Sequence, residues 1–127
     1  MDKENTLLII DDEVDFLEVI SKRLKRRGFQ VFTAVNCKEG LEILKNNLID
    51  LIVLDVMLPD LHGLECLAEI KKLNEVPVIL LTGHASLKTG IESLKLGAKD
   101  YCLKPIDFEE LVEKIQATLR ESQGSEA

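Results

Sequence analysis

The 127 residues suit one compact domain with a sizeable core. No apolar run approaches the roughly 20 residues of a membrane span, and the opening MDKENT lacks a signal-peptide pattern, so a cytoplasmic protein is expected. A net charge of −7 argues against direct nucleic-acid binding, because phosphate backbones reward clustered Lys and Arg.

Residues 6 to 10 read as a strand that ends at Asp11 and Asp12. Leu17, Ile20 and Leu24 then fall at helical spacing, and Gly28 stops that helix. Lys22, Arg23, Lys25, Arg26 and Arg27 close it, where positive charge complements the helix dipole; a docking patch is the other reading. Residues 30 to 35 form a second strand. Asn36 with Glu39 resembles a cap and its reciprocal partner, leading into a helix with Leu41, Leu44 and Leu48. Residues 51 to 54 are continuously apolar, as in a strand buried on both faces, and run into Asp55. Pro59 to Gly63 break the chain before a helix with Leu64, Leu67 and Ile70.

Pro77 opens a fourth strand that runs to Leu81 and ends at Thr82; a helix with Leu87, Ile91 and Leu94 on one face follows, closed by Gly97. Lys99 to Leu103 make the fifth strand, which ends at Lys104. Asp107 and Glu110 cap a last helix that presents Phe108, Leu111, Ile115 and Leu119. The alternation implies an α/β domain with a doubly wound, five-stranded parallel sheet over residues 1–120. Residues 121–127, ESQGSEA, read as a disordered tail or a linker stub.

Cys37, Cys66 and Cys102 cannot all pair and show no C-x-x-C spacing, so reduced, structural thiols are expected. His62 and His84 fall on loops without Cys or His neighbours and read as exposed residues rather than zinc ligands.

The strand ends carry the chemistry. In an open parallel sheet the carboxyl ends share one rim, where ligands bind. Asp50 begins the run that Asp55 ends, about five residues at roughly 3.3 Å each, which puts Asp50 at the opposite rim. If the first and third strands are neighbours, Asp11, Asp12 and Asp55 crowd together, and like charges so close call for a cation. Mg²⁺, a small hard ion that takes carboxylates, waters and phosphate oxygens, is the natural one. Asp55 stands alone and is assigned as nucleophile, with Asp11 and Asp12 holding the metal; attack on phosphorus would give an aspartyl-phosphate. Lys104 and the Thr82 hydroxyl would neutralise and hydrogen-bond the oxygens of the transferred group.

LLIIDDE at 7–13, LIVLDVMLPDLHGLE at 51–65, PVILLTGHA at 77–85 and LGAKDYCLKPID at 96–107 jointly resemble receiver domains of bacterial two-component response regulators. The resemblance spans residue 6 to about residue 120 and implies a flavodoxin-like sheet of order 2-1-3-4-5 with five helices. It implies Asp55 as phosphoacceptor, Asp12 as direct Mg²⁺ ligand, Asp11 as ligand through water, the Met57 carbonyl as a third protein ligand, and Thr82 and Lys104 on the phosphoryl group. It also implies a cis bond before Pro105 and a switch pair, Thr82 and Tyr101, with Gly90 making the intervening helix easy to remodel. Met57 and His84 would line the path of hydrolytic water.

The implied function is a phosphorylation-driven signalling switch: a phosphoacceptor with slow autodephosphorylation rather than a turnover enzyme. Its phosphoryl donor would be a sensor histidine kinase or phosphotransfer protein, and phosphorylation could drive homodimerisation. Residues 82 to 107 are similar to receivers of enhancer-binding, NtrC-like activators, hinting at an ATPase and DNA-binding output beyond the chain. A Mg²⁺-dependent phosphatase of the haloacid-dehalogenase type is the alternative, but it wants an Asp two residues after the nucleophile, which neither Asp11 nor Asp12 has. A phosphorylation-independent receiver-like module becomes plausible when acidic or Lys positions are missing; none is missing.

Overall fold

A computed structural model describes residues 4–83 and 87–124, with the Leu87 side chain excepted. His84 and residues 125–127 therefore lie outside the described residues. The strands are β1 (Thr6–Ile10), β2 (Gln30–Ala34), β3 (Leu51–Asp55), β4 (Val78–Thr82) and β5 (Asp100–Leu103). The helices are α1 (Val14–Arg26), α2 (Cys37–Asn46), α3 (Gly63–Leu73), α4 (Leu87–Lys95) and α5 (Phe108–Ser122). All strand pairs are parallel, and the sheet order is β2-β1-β3-β4-β5, as the resemblance implies.

Side chains of a strand alternate between faces, and this alternation divides the core in two. Leu7, Ile9, Leu51, Val53, Ile79 and Leu81 pack with α1 and α5. Leu8, Ile10, Ile52, Leu54, Val78 and Leu80 face the other way, onto α2 and α3. Because helices cover both faces, β3 and β4 are buried throughout, which is why their sequences are apolar without alternation. β1 and β3 are neighbours, with Ile10 opposite Leu54. The residues following them, Asp11 and Asp55, therefore emerge side by side at the carboxyl edge.

Two caps form as the sequence predicts. Asn36 accepts from the Glu39 N–H at 2.8 Å, and Asp107 accepts from the Glu110 N–H at 3.1 Å. The Glu39 carboxylate returns to the Val35 N–H, one residue earlier than expected. Gly28 and Gly97, with φ of +95° and +111°, occupy the left-handed region where helices end.

Several expectations need correction. Leu48 lies beyond α2 and is 91% exposed, because the helix stops at Asn46. The face of α4 that carries Ile91 and Leu94 is exposed; among the described side chains of that helix the buried positions are Gly90 and Ser93, Gly90 lying against the Tyr101 ring. The basic end of α1 does more than oppose a dipole: Arg23 stacks on Phe108 at 4.0 Å, and Arg27 pairs with Glu109, tying α1 to α5. α5 continues to Ser122, two residues into the segment expected to be disordered. Cys37 and Cys66 are joined by a disulfide with Cα atoms 5.9 Å apart, against the expectation of reduced thiols. Linear spacing misses this pair because α2 and α3 cover the same face of the sheet, and that packing unites residues 29 apart. Cys102 is free and buried, and burial pushes its thiol up to about 11.

Gly63 sits where α3 meets the end of β3; a Cβ there would lie 2.4 Å from Val56 Cα and 2.6 Å from the Asp55 carbonyl oxygen. Both obstacles are backbone. Gly63→Ala should therefore cost about 1–3 kcal/mol, read as a lower urea midpoint. An unchanged midpoint would contradict this close approach.

Candidate functional site

Asp11 follows β1 and is fully buried, its N–H donating to the Ala34 carbonyl at 3.0 Å. Asp12 is exposed beside it, and Asp55, the last residue of β3, is 3% exposed. One carboxylate oxygen from each lies within 4.8 Å of the others. The Lys104 ammonium, brought from β5, is 2.8 Å from Asp11 Oδ2 and 3.6 Å from Asp55 Oδ1. Asp11 and Lys104 are 93 residues apart in the chain. Thr82 ends β4, buried, and its carbonyl accepts from the Lys104 N–H at 2.8 Å. Asp50 lies at the other edge, accepting from the Thr6 N–H at 2.7 Å.

The remaining predicted residues surround this cluster. Met57 is exposed two residues past Asp55 and bridges to His62 across the loop. The Lys104–Pro105 bond is cis. Tyr101 is half-buried on β5 with its ring over Gly90, outside the carboxylate group. His62 is exposed, as expected, and is no cluster member: its Nδ1 accepts from the Leu64 N–H at 3.1 Å, capping α3.

Burial and crowding act together on Asp55. Burial, and then the charge of Asp11, push the Asp55 carboxyl up to about 6; Lys104 and the Met57 N–H pull it back, and Asp12 adds a smaller push. At Lys104, burial acts against the charged form. Hydrogen bonds to Asp11 and Glu13, with the charges of Asp55 and Asp11, outweigh it and hold the ammonium above the usual lysine range.

Two contributors were not singled out from the sequence. Glu13 accepts from Lys104 Nζ at 3.0 Å, so the ammonium is shared among three carboxylates. The third acid of the run LLIIDDE was the available signal. Asp60 reaches out of the loop after β3 to accept from the Cys37 N–H at 2.9 Å and the Lys38 N–H at 3.0 Å. Those hydrogen bonds hold its carboxyl below the usual range, although burial alone would raise it. Nothing local in the sequence announces that contact.

Three clustered carboxylates are hard oxygen donors of one sign, and one ammonium leaves them undercompensated. The residues fit a divalent cation, and Lys104 fits an incoming anion. This is an α/β domain with an acidic cluster on the carboxyl edge of its central strands. The family model for the response regulator receiver domain matches residues 7–116, and the chain belongs to that family. It is 40% identical to a probable transcriptional regulator, ycf27, of Cyanidium caldarium, over 98% of this chain and 50% of that protein. It is 42% identical to a CpxR transcriptional regulatory protein homolog of Haemophilus influenzae, over 91% of this chain and 51% of that protein. The chain thus spans about half the length of these curated relatives. The crystal structure of a CheY-like receiver domain protein from Methanospirillum hungatei superposes with a TM-score of 0.91 at 34% identity, covering 97% of this chain and 99% of that one.

Asp55 binds its proton more tightly in the folded chain than in the unfolded one, where 3.8 applies. Without a divalent cation this contribution to stability is therefore complete below about pH 4 and is lost as pH rises through about 6. Asp55→Asn, which carries no charge, should remove that slope and stabilise the chelator-treated protein at pH 7 by about 1–3 kcal/mol. Urea titrations from pH 4 to 8 measure it. A variant that keeps the wild-type slope would show that another group is responsible.

Proposed function

We propose that the domain is a phosphorylation-driven switch whose acceptor is Asp55. The carrying observation is that a buried carboxylate at the end of a central strand meets two further carboxylates and one ammonium. Asp55 is already ionised at neutral pH, so its oxygen attacks phosphorus without a general base. A P–O bond forms as the bond from phosphorus to the donor breaks, and an acyl phosphate results. Lys104 leaves its partners to meet the oxygens of the transferred group, and Thr82 hydrogen-bonds them. Mg²⁺ would be held by Asp12, Asp55 and the Met57 carbonyl, with Asp11 acting through water. When bound, it supplies the positive charge that lets an anionic donor approach three carboxylates.

The donor is a phosphohistidine of a sensor histidine kinase or phosphotransfer protein. Beside the site, α1 exposes Val14 at 64% and Val19 at 58%, and a groove lined by Phe16, Ile20, Pro105 and Phe108 runs along it. An apolar surface so placed suits a partner helix.

Downstream, Thr82 and Tyr101 form the switch pair. A pull on Thr82 biases the segment that joins β4 to α4, and the Tyr101 ring, now against Gly90, swings into the vacated space. The α4–β5 face exposes Ile91, Leu94 and Leu103, which suits a phosphorylation-dependent homodimer. The relatives are named transcriptional regulators and are about twice as long, which supports a DNA-binding output in the remainder. An ATPase-containing output is the form expected of an enhancer-binding activator. No described helix is long and apolar enough to cross a membrane, in keeping with a cytoplasmic role.

Incubation with acetyl phosphate and Mg²⁺ should add one hydroxylamine-labile phosphoryl group per chain, absent from Asp55→Asn by intact-mass measurement. A stable adduct on the variant would move the acceptor elsewhere. Mg²⁺ at ten times its Kd should stabilise the protein by about 1.4 kcal/mol, and Asp12→Ala should remove that gain. Equal gains in the two proteins would count against the metal site.

A further inference from the structure

The loop of residues 56 to 62 is held at several points, and the two helices it touches, α2 and α3, are joined covalently. The Gly63 N–H donates to the Val56 carbonyl at 2.7 Å, Asp60 holds the first turn of α2, and the Cys37–Cys66 disulfide joins that turn to α3. Residue 37 carries two of these links. Its N–H binds Asp60, five residues past Asp55, and its sulfur binds α3. A domain of this size builds its core from aliphatic side chains; covalent staples are needed in scaffolds below roughly 70–80 residues. The cross-link is therefore free to serve something other than stability.

We propose that Cys37 and Cys66 are a reversible redox site, disulfide in one state and dithiol in the other, that sets how firmly the loop behind Asp55 is held. The proposal rests on the reading of Asp55 as phosphoryl acceptor. Reduction by a dithiol breaks the S–S bond and forms two S–H bonds, the reductant giving up two electrons and two protons and closing to its own disulfide. A disulfide oxidant such as oxidised glutathione reverses this and is released as two thiols. Cys37 borders a surface groove with Lys38, Leu41, Asp60 and Leu61, and the Lys38–Asp60 bond is exposed, so opening of the first turn of α2 gives a reagent access. Two thiols need van der Waals separation, roughly 3.5 Å or more. Both sulfurs are fully buried, so room for the wider pair comes from a side-chain rotation or from a shift of the first turn of α2 away from α3; in the proposed switch the turn shifts, and Asp60 moves with it. The loop that carries Met57 is then less preorganised for the cation.

The full chain is treated with oxidised glutathione or with dithiothreitol, and thiols are counted after denaturation. One thiol, Cys102, is expected after oxidation and three after reduction; three in both samples overturn the proposal. Calorimetric titration should show Mg²⁺ binding about tenfold more weakly to the reduced form, the low end of the roughly 10–100-fold seen for partners behind a metal site. Amide hydrogen exchange at Cys37, Lys38 and residues 56 to 62 should quicken on reduction. Cys66→Ala should match the reduced form under both treatments, and Cys102→Ala should keep the difference. Equal affinity and exchange in the two wild-type forms overturn the switch. Failure of acetyl phosphate to label either form overturns the acceptor reading instead, while the exchange comparison still judges the redox site.

Discussion

Three carboxylates share a small volume with the Lys104 ammonium, and the architecture holds two of them, Asp11 and Asp55, in buried positions. Asp11 and Asp55 are the residues at which two adjacent, fully covered strands run out, so their positions follow from the β1–β3 register rather than from their own preferences. Relaxation by moving apart would break the sheet. The consequence shows in Asp55, whose carboxyl is pushed up to about 6 by burial first and by the charge of Asp11 second. Lys104 answers part of it, but it is divided among Asp11, Glu13 and Asp55. A site built this way has unmet demand for positive charge and a cation already poised for an anion.

The segment after Asp55 is organised around that demand. Gly63 permits backbone to pass against backbone at the end of β3, and His62 with Glu65 closes the first turn of α3 by reciprocal capping. Asp60 reaches across to the N–H groups of α2. The loop is therefore exposed at Met57 yet anchored at both ends and in the middle. That combination lets it present groups to a ligand without a large ordering cost.

The opposite flank is built more loosely. Among its described side chains, α4 buries Gly90 and Ser93 and exposes Ile91 and Leu94, so these positions bring few apolar contacts to the sheet. Elements held this way lie at the low end of local stability. The contrast between a rigid carboxylate cluster and a lightly held helix beside Thr82 and Tyr101 is what a conformational signal requires.

Most of the architecture was legible before the chain folded. Period and punctuation placed β1, β3 and α5, and unbroken apolar runs marked β3 and β4 as covered on both faces, because burial leaves no room for polar alternation. Placing Asp11, Asp12, Asp55, Thr82 and Lys104 at strand ends followed from the same pattern. What linear order could not carry was any contact between elements distant along the chain. The grip of Glu13 on Lys104, the reach of Asp60 to α2, the Cys37–Cys66 bond, and the choice of Gly90 rather than Ile91 as the inner face of α4 all arise from docking one element on another. Local periodicity reports which side of a helix is apolar. Only the packed structure decides what that side meets, because the free energy of a contact belongs to both partners and the sequence lists them one at a time.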